Sequence, residues 1–174
     1  AHLSAWGVPA HQVVELDWGQ SHSLGDLELG CAEARHFSGR LFRRNRTLWS
    51  SWTAAAGGRR VFFGGDTGYT PAFKEVGDLH DGFDLTVLPI GAYDRRWADI
   101  HMNPAEAVQT HLDVRGEVLL PIHWGSFNLA FHPWDEPIQW AVRESAERDV
   151  RLATPRVGQR FEVSNPPTDA WWRA

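Results

Sequence analysis

Three side chains able to hold a metal ion each stand directly after a stretch that reads as a β-strand: His36, Asp66 and His123. Imidazole and carboxylate suit zinc, with iron or manganese as alternatives. Asp66 lies within residues 60–69, RVFFGGDTGY. There Val61, Phe62 and Phe63 form the short apolar run of a buried strand, and Gly64, Gly65 and Gly68 break it into a tight loop. A carboxylate at that strand end is costly to bury without a partner, and a metal ion is one such partner. The competing reading is an Asx turn, in which Asp66 bonds its own backbone. Each histidine alone is more often ordinary than a ligand. Three candidates at strand ends carry more, because strands of one sheet bring their ends to a common rim.

The elements that must position these residues are read from pattern. Residues 1–7 read as the end of a short helix, 12–17 (QVVELD) as a strand and 21–25 as a turn. Residues 27–34 alternate as a strand leading to Arg35 and His36. Residues 38–47 are a polar, arginine-rich loop. Residues 48–56 and 59–64 flank Gly57-Gly58, a two-residue hairpin signal. Thr70 is the expected N-cap of a helix with Pro71 in its first turn. Residues 84–90 (DLTVLPI) form a buried strand, followed by a loop over 91–102. Asn103 and Glu106 form a capping box for the next helix. Residues 117–122 are a strand ending at His123, 135–149 a helix and 160–163 a last strand. The proline-rich tail after Ser164 is expected to be loosely held.

Bulk properties narrow the function classes. The chain has 174 residues, one domain's worth of core, and a net charge of −5, which argues against nucleic acid as partner. A single cysteine, Cys31, excludes an intrachain disulfide and fits a reducing compartment. No run is long and apolar enough to cross a bilayer, and no secretory signal is visible. The expected location is therefore cytoplasmic, with peripheral membrane contact as a variant. Ten tryptophans suit a core, an interface or a lipid groove. Arg40, Arg43, Arg44 and Arg46 either form a solvated loop or meet phosphate head groups. Tyr93, Arg95, Arg96 and Trp97 either border a substrate groove or form a surface loop held by aromatic packing. Trp124 reads as packing that fixes the His123 ring.

The segments ARHFSGR (34–40), LWSSW (48–52), FFGGDTGY (62–69), FDLTVLPIGAY (83–93), HMNPAEAV (101–108) and PIHWGSF (121–127) carry a resemblance. In this order they resemble the metallo-β-lactamase superfamily, and within it the N-acylphosphatidylethanolamine phospholipase D-like hydrolases. The resemblance implies an α/β (α+β) fold, a four-layer αββα sandwich of two similar halves, with residues 1–174 forming a single partial domain, mainly the second half. It implies His36 as ligand of one metal, Asp66 as the carboxylate bridging two metals, and His123 as ligand of the second. It also implies catalytic roles for Asp66 and His101, the latter assisting proton transfer or holding phosphate; the plainer reading of His101 is a residue that precedes the Asn103 cap. The family's first metal motif, His-x-His-x-Asp-His, is absent, and His2, His11 and His22 are too isolated to form it.

The same resemblance implies a metal-dependent hydrolase in the complete protein, with two zinc ions. The expected reaction is phospholipase D-type attack on a phospholipid-like or small phosphodiester substrate by a hydroxide shared between the ions. A lactonase or other ester hydrolase on the same scaffold is an alternative. So is an inactive half-domain. A half-sandwich leaves a sheet face uncovered, so a homo-oligomer or a missing N-terminal half is the expected partner.

Overall fold

Of five strands that point the same way, four carry the loops on which everything else depends. The computed structural model describes residues 2–40 and 42–173, and the side chains of Arg40 and Arg43 lie outside what is described. The strands are β1 (Ser21–Leu24), β2 (Leu27–Glu33), β3 (Gly39–Arg40), β4 (Arg43–Arg44), β5 (Ser50–Ala56), β6 (Arg59–Phe63), β7 (Phe83–Pro89), β8 (Gly116–Ile122) and β9 (Arg151–Leu152). A seven-stranded sheet runs in the order β1-β2-β5-β6-β7-β8-β9, and β3 and β4 pair separately. β2 is antiparallel to β5, and β5 to β6, so β2 and β6 run in the same direction. β7 and β8 are parallel to β6. The carboxyl ends of β2, β6, β7 and β8 therefore share one rim.

The helices are α1 (His2–Ala5), α2 (Ala72–His80), α3 (Pro104–Asp113) and α4 (Glu136–Glu147). Each of α2, α3 and α4 links two consecutive parallel strands, as parallel pairing requires. They lie over one face of the sheet. Phe62 of β6 meets Phe73 of α2 with ring centroids 5.7 Å apart. Thr86 of β7 bonds His111 of α3 at 2.7 Å. Phe62, Phe73, Leu88, Val108, Leu119 and Ile138 are fully buried between these layers. Of the alternate residues on the other face, Val61, Leu85, Val87, Leu120 and Ile122 are partly buried, while Val118 and Cys31 are buried. Phe63 on that face is 41% exposed. Among the described residues the seven-stranded sheet thus carries helices on one side, two layers of the expected four.

Several expectations need correction. Residues 12–17 form no strand; Val14 is exposed, and without a neighbouring strand to pair with, a short apolar run does not become β structure. Residues 21–24, expected within a turn, are the edge strand β1, paired with β2 around Gly25 and Asp26. All four of its residues are exposed, so there was no apolar alternation to reveal it. The loop over 38–47 contains the small β3–β4 pair. The cap position of α2 is Pro71, although the Thr70 hydroxyl still accepts from the Ala72 N–H at 3.3 Å. The Asn103–Glu106 capping box is present. The last strand is β9, not 160–163, where only a Glu162–Asn165 bridge occurs. The tail is pinned rather than loose: the Thr154 N–H donates to the Pro167 carbonyl at 2.7 Å, and Trp172 is buried against the core. Two bulky indoles near the end supply the apolar area that proline content alone did not suggest.

Candidate metal centre and its loops

His36, Asp66, His101 and His123 come together on the rim. His36 follows β2, Asp66 follows β6, His101 ends the loop after β7, and His123 follows β8. His101 sits between the other two histidines, 5.2 Å from the His36 ring in an edge arrangement and 5.0 Å from the His123 ring in a stack. The Asp66 Oδ1 lies 3.7 Å from the His123 Nε2.

Local backbone chemistry aims these groups. His123 has φ +61°, left-handed for a residue with a Cβ, so the chain turns sharply where β8 stops. Gly91 lies against that turn: a Cβ there would collide with the His123 carbonyl. At His36, Nδ1 is 2.9 Å from the Phe37 carbonyl. A carbonyl only accepts, so Nδ1 carries the proton and Nε2 keeps its lone pair. That Nε2 is buried and has no hydrogen-bond partner among the described residues; the same holds for Nδ1 of His101. Burial, followed by the neighbouring His123 and His36, pushes the His101 pKa down to about 4, with Asp66 opposing. His101 is neutral at pH 7.

These donors fit a metal site in type and placement, as part of a ligand set. Zinc bonds of about 2.0–2.2 Å put two ligands of one tetrahedral ion roughly 3.4 Å apart, near the His123–Asp66 spacing. The bare Nε2 of His36 is the second fitting feature. Among the described residues, however, no three histidine, cysteine, aspartate or glutamate side chains are grouped to hold an ion by themselves.

The loop over residues 93–97 follows the second of its two readings, a surface loop held by aromatic packing. Arg96 forms a two-point pair with Asp94 at 2.7 and 2.9 Å and lies over the Trp97 and Phe131 rings. The Trp97 indole N–H donates to the Ala92 carbonyl, and the Tyr93 hydroxyl donates to Glu136 at 2.6 Å. This loop is therefore held by its own polar and aromatic contacts. Trp124 stacks on Trp171, with centroids 5.2 Å apart, and meets Trp172 edge-on. Four residues escaped sequence reasoning. His132 accepts from the Ala92 N–H and stacks on Tyr93; nothing in its surroundings signalled this. The Trp171–Trp172 pair was visible only as composition. Thr67, fully buried beside Asp66, was hidden in the turn signal of GGDTGY.

Comparison with known proteins points the same way. Residues 1–124 match the beta-lactamase superfamily domain. The chain is 50% identical over 99% of its length to the uncharacterized protein Rv0906 of Mycobacterium tuberculosis, covering 48% of that protein. It is 33% identical to N-acyl-phosphatidylethanolamine-hydrolyzing phospholipase D 1 of Caenorhabditis elegans over 90% of this chain and 48% of that one. The chain thus spans about half the length of these curated relatives. Igni18, a metallo hydrolase of Ignicoccus hospitalis, superposes with a TM-score of 0.65 at 18% identity, covering 86% of this chain and 61% of that one.

Proposed function

This chain belongs to the metallo-β-lactamase superfamily of metal-dependent hydrolases, and from that premise we propose that the full protein is a phosphodiesterase of phospholipase D type acting on N-acyl phospholipid-like substrates. The observation that carries the proposal is the meeting of three histidines and a carboxylate on a rim whose loops also expose large apolar side chains. Phe37 and Phe42 follow His36, and Phe127, Leu129 and Phe131 follow His123; all are 44% exposed or more. An amphiphile needs a polar reaction centre beside an apolar contact surface, and these loops offer both. The likeness to the worm enzyme supports the same substrate class.

In this reading Nε2 of His36, Asp66 and Nε2 of His123 hold zinc together with donors from outside these 174 residues. Bound zinc would polarise the phosphoryl oxygen and lower the pKa of a water. His101, neutral at pH 7, accepts a proton before it can donate one. It therefore suits relaying a proton from the attacking water to the leaving oxygen. Arg44 lies 5.9 Å over the Phe37 ring, on the loop beside His36, where a phosphate head group would pass.

The test uses the full-length protein, stripped by chelator and reloaded with zinc. N-acylphosphatidylethanolamine vesicles, a soluble phosphodiester, a lactone and a simple carboxylic ester are offered in parallel. Metal-dependent release of phosphatidate from the vesicles is expected. Hydrolysis of the lactone or ester without the phosphodiesters would replace this reading with that of an ester hydrolase.

A further inference from the structure

We infer that Thr67 is the positioning residue that sets three of the four site loops against one another, an inference that rests on the hydrolase reading of the rim. Its hydroxyl accepts the Arg35 N–H at 2.8 Å and donates to the Gly68 carbonyl at 2.7 Å. Its carbonyl accepts the Met102 N–H at 3.0 Å. The Gly68 N–H returns a bond to the Arg35 carbonyl at 2.7 Å. Three of these residues adjoin a site residue in the chain: Arg35 precedes His36, Thr67 follows Asp66, and Met102 follows His101.

One buried side chain and the peptide beside it thus join the loops after β2, β6 and β7. An ordinary turn threonine would explain the bond to Gly68, one residue away. It would not explain the bond to Arg35, 32 residues away, at a fully buried position. The hydroxyl both donates and accepts, so it has a definite orientation and is not itself a free ligand. Gly68 makes the approach possible: a Cβ there would lie 2.6 Å from the carbonyl carbon and oxygen of Asp99, in the loop that carries His101. The Arg35–Asp99 ion pair at 2.9 Å joins the loops after β2 and β7 at the surface.

Valine fills the space of Thr67 but leaves the Arg35 N–H without its acceptor, whereas serine keeps the hydroxyl. The experiment compares Thr67→Val and Thr67→Ser in the full-length protein. Thr86→Val, which removes another fully buried hydroxyl on the sheet, serves as the stability-matched control. Zinc affinity is read by competition with a chelating dye, and amide exchange is followed in the zinc-free proteins. Thr67→Val should bind zinc about 10–100-fold more weakly, the range for residues that orient ligands. Thr67→Ser should stay near wild type, and Thr86→Val should lower the unfolding midpoint while keeping zinc affinity. In the zinc-free Thr67→Val protein, the Arg35 and Met102 amides should exchange at least about tenfold faster relative to those of β7.

Equal loss of zinc affinity in the two valine variants, failure of serine to rescue, or unchanged exchange at Arg35 and Met102 would each overturn the inference. A wild type that binds zinc but cleaves no phosphodiester would sink the substrate reading and leave this one standing. If the wild type binds no zinc, the exchange result alone decides.

Discussion

Nε2 of His123 stands 3.7 Å from Oδ1 of Asp66 across two strand ends that are not neighbours, since β7 runs between β6 and β8. The loop leaving β7 must therefore arch over the gap, and it delivers His101 onto the His123 ring. Beside this pair, Nε2 of His36 and Nδ1 of His101 are buried without a hydrogen-bond partner among the described residues, while the Asp66 side chain is half exposed. Burying those two nitrogens unpaired costs free energy that a bound partner would offset.

Asp66→Asn keeps the size and turn chemistry of the side chain but removes its charge. With Asp66 holding zinc as proposed, both zinc content and turnover should fall in the full-length variant. Elemental analysis beside the phosphodiesterase rate checks this. Full zinc content at a near-normal rate would return Asp66 to an Asx-turn role.

His101→Gln should lower kcat by about 10²–10⁴-fold, the range for a lost proton-transfer group, while leaving zinc content close to wild type. Steady-state kinetics with matched metal analysis separates this from loss of a ligand. A normal kcat would make His101 a packing residue on the His123 ring.

His111 is buried against Thr86, and burial lowers its pKa from 6.5 to about 4. The unfolded chain therefore binds this proton more readily than the native one. The stabilising contribution is complete above pH 6.5 and is lost as pH falls toward 4, amounting to about 3 kcal/mol in all. Urea unfolding at pH 7 and pH 4.5 should show a smaller loss in His111→Gln than in wild type. Equal losses would contradict the assignment to His111.

Trp172→Ala removes a buried indole from the cluster with Trp124 and Trp171 and should destabilise by about 3–5 kcal/mol. Urea midpoints measure the loss, and faster proteolysis of residues 165–173 should accompany it. A change under about 1 kcal/mol would mean that the tail contributes little to the core.

Phe127→Ser combined with Phe131→Ser should raise KM for vesicle-borne substrate and leave kcat/KM for a soluble phosphodiester near wild type. Both side chains are about 80% exposed, so little core packing is at stake. Equal effects on both substrates would argue against an apolar contact role for this loop.

The sequence by itself determined the elements whose pattern is local. The β5–β6 hairpin at Gly57-Gly58, the Asn103–Glu106 capping box and the buried strands β7 and β8 were legible because turn chemistry and apolar runs act over a few residues. His36, Asp66 and His123 stood out for the same reason, as polar residues where apolar runs stop. Only the tertiary structure decided the rest. Edge strand β1 has no buried face to leave a pattern, and β9 is two residues long. Trp172 is anchored by a core assembled from distant segments. That β2 runs the same way as β6, which brings His36 to the rim of Asp66 and His123, results from two antiparallel pairings that no local window contains. The role of Thr67 depends on a bond across 32 residues. Contacts of that range are fixed by how sheet and helices pack, and a sequence read in order shows only their endpoints.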